Sequence, residues 1–208
     1  MSGKSEEEQE IISDEETFGT PSIRTNSSSS TSDTPVLISR LQMDYDEALE
    51  SGKEQGYIVE LVDNDLELWS VKFHKFDGLP IYEDMKKYEE KYHRNYIELL
   101  ITFPSNYPSI APFFRVYRPR FIQYTGHVTI GGSICSASLT FKAWTPVRTI
   151  SSLISEMFAL IMTGDADDPP PKLDLSSDEP YDLPEAIKAY RRMAEKYGMI
   201  IPNWTPKK

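Results

Sequence analysis

Apolar residues begin to recur at helical spacing at position 37, where Leu37, Ile38, Leu41, Tyr45 and Leu49 are separated by acidic and other polar residues. A face that returns every three or four positions is what a helix needs to bury one side. The spacing predicts a helix over 37–51, stopped by Ser51-Gly52. The period then changes. Residues 57–62 are an apolar-rich strand candidate, Asp63-Asn64-Asp65 is turn chemistry, and 68–76 alternates in part before Asp77-Gly78 ends it. The β-branched and aromatic runs at 96–103 and 113–117 read as two further strands. Between the second and third, 82–94 mixes charges with Met85, Tyr88 and Tyr92, which predicts a short surface helix acting as a solvated connector.

Helical spacing returns late in the chain. Thr149, Ser151 or Ser152 caps a helix through Leu153, Ile154, Met157, Phe158, Leu160 and Ile161, which ends at Thr163-Gly164. The run DADDPPP is an acidic, stiff loop, and Pro184 suits the first turn of a last helix that runs to about Tyr197 and stops at Gly198. Four short strands in succession predict an antiparallel meander. The fold class is therefore α/β in the α+β sense: an amino-terminal helix, the meander, an irregular cysteine-bearing segment and carboxy-terminal helices. Nothing repeats, and the sequence has neither a dinucleotide-binding glycine motif nor a phosphate loop.

Residues 1–36 have a different texture. Glu6, Glu7, Glu8, Glu10, Asp14, Glu15 and Glu16 are followed by the serines 27–30, too little apolar surface to repay the entropy of ordering. The expectation is a disordered acidic tail over 1–36 and one folded domain over 37–208. Ser13, followed directly by acidic residues, suits an acid-directed kinase; a plain solubilising extension is the simpler reading.

Composition narrows the function. The chain has 208 residues, 39% of them hydrophobic, enough for one core and a tail. Thirty-three acidic residues against 22 basic give a net charge of -11, which argues against nucleic-acid binding through a cationic stripe. The first residues are polar and acidic, and no uncharged apolar run reaches the roughly 18 residues of a membrane span. A soluble protein of the cytoplasm or nucleus, with no membrane partner, is expected. Cys135 is the single cysteine, which excludes an intramolecular disulfide and cysteine-rich zinc motifs. His74, His93 and His127 lack ligand spacing, so neither metal nor cofactor is predicted.

The segment TGHVTIGGSICSASLTFKAW, 125–144, holds the candidate chemistry. Gly131-Gly132 permits unusual backbone angles or the close approach of another chain. A loop cysteine on a rigid scaffold suits acyl transfer, because a deprotonated thiol forms a thioester readily. A lone cysteine also serves as a small buried apolar side chain. His127, eight residues upstream, is near enough in sequence to orient or polarise a group beside the sulfur. A Cys-His peptidase would require direct contact and a third orienting group, and no peptidase signature surrounds Cys135.

Five segments in order resemble those of ubiquitin-conjugating enzymes, the E2 family. They are Asn64-Asp65-Leu66-Glu67-Leu68-Trp69; FPSNYPSIAP at 103–112, with Ala111 in place of the first proline of the usual pair; Gly132-Ser133-Ile134-Cys135 with Leu139; WTPVRTISSLI at 144–154; and Asp167-Asp168-Pro169. GHVTIGGSIC, with its Gly-His replacement, is similar in particular to the Q-type subgroup.

The resemblance implies that Cys135 receives ubiquitin as a thioester from an activating enzyme, E1. Ubiquitin then passes to a protein substrate or to a ligase, E3. His127 stands where most members carry the Asn that supports the loop or the developing oxyanion, and a compensating catalytic role and a structural one are both open. Asp168 aligns with the acidic gate that steers an incoming lysine. Ala137 stands where many lysine-active members carry Asp, which implies weaker transfer to lysine or a thiol, hydroxyl or α-amine acceptor. The implied E1/E3 face comprises the first helix with Arg40, its only cation between 37 and 51, Ser109 where a ligase-contacting Phe is common, and Pro146 with Val147. Trp144 follows Cys135 by nine residues, one more than the common spacing. The alternative is a catalytically silent E2-like module that binds ubiquitin or an E3.

Overall fold

In the computed structural model, the described residues are 33–134, 136–140, 142–163 and 169–197. Helix α1 (Asp33–Gln55) leads into a meander of four strands, β1 (Tyr57–Val62), β2 (Asp65–Phe73), β3 (Ile97–Thr102) and β4 (Phe113–Arg118). Helix α2 (Tyr82–Tyr92) lies between β2 and β3, and α3 (Ile150–Thr163) and α4 (Leu183–Tyr197) follow the sheet. The strands pair antiparallel in the order β1-β2-β3-β4, the expected architecture.

Helix α1 buries Leu37, Leu41, Asp44 and Ala48. Its seam meets Trp69 of β2, which is wholly buried, donates Nε1–H to the Leu66 carbonyl at 2.7 Å, and has Tyr45 edge-on at 5.1 Å. Such an aromatic fills volume while satisfying its single polar atom, so its burial costs little. Phe114 and Val116 join the same core, together with Ile150, Leu153, Ile154 and Met157 of α3. Phe113 belongs to a second, smaller cluster, with Ala186, Tyr190 and Ala194 of α4.

The helix boundary at Ser51-Gly52 is corrected: α1 continues to Gln55. Gly52 lies inside the helix, and the position is glycine because a Cβ there would sit 2.6 Å from the Tyr57 carbonyl oxygen. The stop is Gly56, at φ +82°, whose N–H bonds the Gly52 carbonyl at 2.8 Å. Asp33 to Val36, expected in the tail, are helical. Strand β2 begins at Asp65 rather than 68. Asp63 and Asn64 both have positive φ, and Val62 pairs with Asp65, a two-residue hairpin turn that leaves no slack before the strand.

The reading of α2 as a solvated connector is also corrected. Met85 and Tyr88 are buried against the main core and Tyr92 packs beside them, so the stripe noted in the sequence faces inward. At the last helix, Glu185 N–H bonds the Asp182 carboxylate at 2.6 Å and Asp182 N–H reaches Glu185 Oε2 at 3.3 Å. This reciprocal cap places Asp182 two residues ahead of Pro184 and fixes where α4 starts.

Candidate functional site

The 125–134 segment is not the irregular loop its sequence suggests. Val128 pairs with Ile134, Thr129 N–H bonds the Ser133 carbonyl at 2.9 Å, and Gly132 N–H bonds the Thr129 carbonyl at 2.8 Å. These bonds make a tight hairpin, and β4 holds it. Val116 N–H bonds the Gly132 carbonyl at 2.8 Å, Ile134 N–H bonds the Phe114 carbonyl at 3.2 Å, and Arg115 pairs with Ser133. Both glycines are required by packing. A Cβ on Gly131 would lie 2.3 Å from the Glu185 carbonyl oxygen, and one on Gly132, at φ +85°, would lie 2.5 Å from the Tyr181 ring.

Ile134 is buried at the end of this hairpin. Ser136 Oγ accepts the Ser138 N–H and caps a single 3-10 turn, Ala137–Leu139. Ser138 Oγ donates to Glu156 of α3, which also accepts from the Arg148 guanidinium. One carboxylate thus anchors both the turn after position 135 and the loop before α3. Cys135 itself lies outside the described residues, as does Asp168.

His127 precedes the Val128–Ile134 bridge, and Cys135 is the next residue in sequence beyond it on the other arm. The His127 side chain is half-buried, with Nε2 shielded from solvent. Its neighbour Gly126, at φ +50°, donates its N–H to the Pro169 carbonyl at 3.5 Å. The residue just before His127 and the residue just after Asp168 in sequence therefore come together. Tyr124 is a feature that sequence reasoning missed. It is 85% exposed with φ +62°, an unusual backbone angle for a bulky residue beside a candidate site. No periodicity or motif signals it.

The four partner-face residues are placed as follows. Arg40 donates Nη1–H to the Pro146 carbonyl at 2.8 Å and Nη2–H to the Arg148 carbonyl at 3.0 Å, while Nε pairs with Asp44 at 2.7 Å. Ser109 and Pro146 are exposed and Val147 is 84% exposed. Asp44 also accepts the Tyr107 hydroxyl, and Trp144 Nε1–H donates to the Pro108 carbonyl at 2.7 Å. Arg40, Ser109 and Pro146-Val147 are thus carried by three segments that are cross-linked to one another.

Burial and the bond to Asp44 push the Tyr107 phenol above its ordinary value, and burial and Asp178 do the same for Tyr88. A raised folded pKa contributes stability that is present below the unfolded value of about 10 and lost as pH rises through the folded one. The thermal midpoint is expected to fall as pH is raised beyond 10. The double variant Tyr88→Phe/Tyr107→Phe is expected to start lower and show a flatter decline, which a calorimetric pH series checks.

Among the described residues, no group of three or more His, Cys, Asp or Glu side chains is placed to hold a metal ion. No helix among them is long and apolar enough to cross a membrane.

An amino-terminal helix, a four-stranded antiparallel meander and a long helix after the 125–134 hairpin that packs against the first helix together make the architecture of ubiquitin-conjugating enzymes. The chain belongs to that family: the ubiquitin-conjugating enzyme family model matches residues 40–191. The expected likeness to the Q-type subgroup is met. The chain is 36% identical over 107 residues to a human Q-like protein of the ubiquitin-conjugating enzymes, covering 51% of this chain and 63% of that one. It is 31% identical over 158 residues to human ubiquitin-conjugating enzyme E2 Q1, covering 74% of this chain and 36% of that one. It therefore spans less than two thirds of the length of either relative. Among solved structures, a ubiquitin-conjugating enzyme E2 from Plasmodium falciparum is similar over 61% of this chain and 98% of that one, with 19% identity and a TM-score of 0.47.

Proposed function

We propose that this chain is an E2 that carries ubiquitin on Cys135. The observation that supports this most is the hairpin: β4 clamps Gly132 to Ile134, and the chain's single cysteine follows directly in sequence. In the first step the Cys135 thiolate attacks the ubiquitin carboxyl-terminal thioester carbon on E1. A new sulfur–carbon bond forms and the E1 cysteine leaves as thiolate. In the second, an acceptor nucleophile attacks the same carbon, the Cys135 thiolate leaves, and an amine acceptor loses its proton to solvent or to a nearby base. A thioester stores acyl-transfer potential, so alignment of the acceptor is the main task of the protein.

His127 is proposed to steady the oxyanion formed in the second step or the loop beside it, and Asp168 to gate the acceptor. Ala137, exposed on the 3-10 turn, leaves no carboxylate there to draw in a lysine. Arg40, Ser109, Pro146 and Val147 belong to the proposed face for E1 and E3, with Arg40 acting by tying α1 to the Pro146 loop. A carrier thiol must stay reduced, which suits the cytoplasm and nucleus.

The test is a charging reaction with E1, ATP and ubiquitin, resolved without reductant. Wild type is expected to form a reductant-labile adduct and Cys135→Ala none, while Cys135→Ser forms a stable ester or nothing. A folded wild-type chain that forms no adduct with several activating enzymes and modifiers would sink the enzyme reading and leave the ubiquitin- or E3-binding module. A chase with free lysine, cysteine, serine and threonine then reads the acceptor class.

A further inference from the structure

A two-residue turn suffices to connect antiparallel neighbours, yet residues 74–96 lie between β2 and β3. Helix α2 within that insertion presents Asp84, Tyr88, Lys91 and Tyr92, spaced to share one helical face, to the strip of chain at 172–178. The Asp84 carboxylate accepts the Leu173 N–H at 3.1 Å. The Leu175 carbonyl accepts from Lys91 Nζ at 2.8 Å and from the Tyr92 hydroxyl at 2.9 Å. The Tyr88 hydroxyl donates to Asp178, whose other oxygen lies 3.2 Å from Arg94 Nη1.

The opposite edge of the same strip faces the arm that leads to His127. Ile122 N–H bonds the Lys172 carbonyl at 2.8 Å, Asp174 N–H bonds the Arg120 carbonyl at 2.9 Å, and Phe121 pairs with Leu173. Lys172 N–H reaches Thr125 Oγ1 at 3.2 Å, and that hydroxyl closes the 122–125 turn on the Ile122 carbonyl at 2.7 Å. Successive residues of an extended chain send their polar groups to opposite edges. Leu173 and Leu175 therefore bond α2, while Lys172 and Asp174 bond 120–125. The strip is thus hydrogen-bonded on one edge to α2 and on the other to the residues that lead to His127.

We infer that α2 is a positioning element for acyl transfer: through Asp84 and Tyr92 it sets the 172–175 strip, and through that strip the 120–127 arm. The inference rests on the thioester-transfer reading. Its residues touch neither the acceptor nor the thioester, so their removal acts on the discharge step by misplacing the arm. Small misplacements of reacting groups have large kinetic consequences.

The test uses the full chain and the double variant Asp84→Ala/Tyr92→Phe. Wild type and variant are charged with ubiquitin by E1 and ATP, then chased with free lysine and, separately, free cysteine. The rate constant at saturating nucleophile is expected to fall by about tenfold or more, with charging within about twofold and the KM for the nucleophile unchanged. Asp84→Asn, whose amide oxygen still accepts the Leu173 N–H, is expected to behave as wild type where Asp84→Ala does not. Equal losses in charging and discharge, no loss at all, or a failure of Asn to rescue would each overturn the inference. Hydrogen exchange provides the second measurement: the Ile122 and Asp174 amides are expected to exchange at least about tenfold faster in the double variant, with β2–β3 amides unchanged. Should wild type never charge, the thioester reading fails on its own, and exchange decides whether α2 holds the arm. Wild-type exchange rates at Ile122 and Asp174 in the variant would show that it does not.

Discussion

Replacement of His127 by alanine is expected to slow ubiquitin discharge from the charged chain by about 100- to 1000-fold, the cost of losing one oxyanion donor. Charging by E1 should stay within a few-fold, because the role proposed for His127 lies in the second transfer. His127 is suited to this role by its place just outside the Val128–Ile134 bridge, with a side chain half-withdrawn from solvent. In such a setting a hydrogen bond to a developing charge is stronger than in water. His127→Asn, which installs the donor usual in the family, should recover part of the lost rate. Single-turnover discharge followed without reductant separates the two steps. Loss of charging and discharge in equal measure, with a lowered melting temperature, would mean that His127 only supports the fold.

The second large effect is structural. Gly132→Ala is expected to destabilise the chain by about 2–5 kcal/mol, through left-handed backbone strain of about 1–2 kcal/mol and overpacking of about 1–3 kcal/mol. The overpacking arises against the Tyr181 ring, 2.5 Å from the Cβ position. For a chain of this size that corresponds to a fall in melting temperature on the order of 10 °C. Gly78 provides the control, since its φ of +78° nearly matches the +85° of Gly132 while nothing lies within 4 Å of its Cβ position. Gly78→Ala should therefore incur the strain alone, about 1–2 kcal/mol. The difference between the two midpoints measures the contact with Tyr181. Equal losses at both positions would show that the ring moves aside.

Local patterns made most of the fold legible and long-range contacts account for the rest. Leu37, Leu41 and Ala48 fall on one helical face, and the alternation of Trp69, Val71 and Phe73 marks the buried side of β2. Gly52 reads as a helix stop by composition, but its reason for being glycine is Tyr57, which no window centred on the helix weighs. Asp44 and Glu156 read as ordinary surface acids; their partners Tyr107 and Ser138 are 63 and 18 residues away. The face of α2 was visible as Met85, Tyr88 and Tyr92, but its target at 172–178 is more than 80 residues downstream. At the site, the glycine pair and the cysteine were legible because chemistry and packing restrict those positions to few residue types. The hairpin that carries the glycine pair was not, since it is tied to β4 by backbone bonds, which carry no side-chain signature.

The internal pairing of Arg40 with Asp44, Pro146 and Arg148 has a bearing on molecular encounter. The first half of α1 offers a visiting protein no uncommitted positive charge, while Val36 and Met43, flanking Arg40 at helical spacing, are exposed. Long-range attraction of an acidic visitor is thereby forfeited on this side of the molecule. Docking on this face is therefore expected to rest on contour and apolar fit, qualities that added salt hardly disturbs.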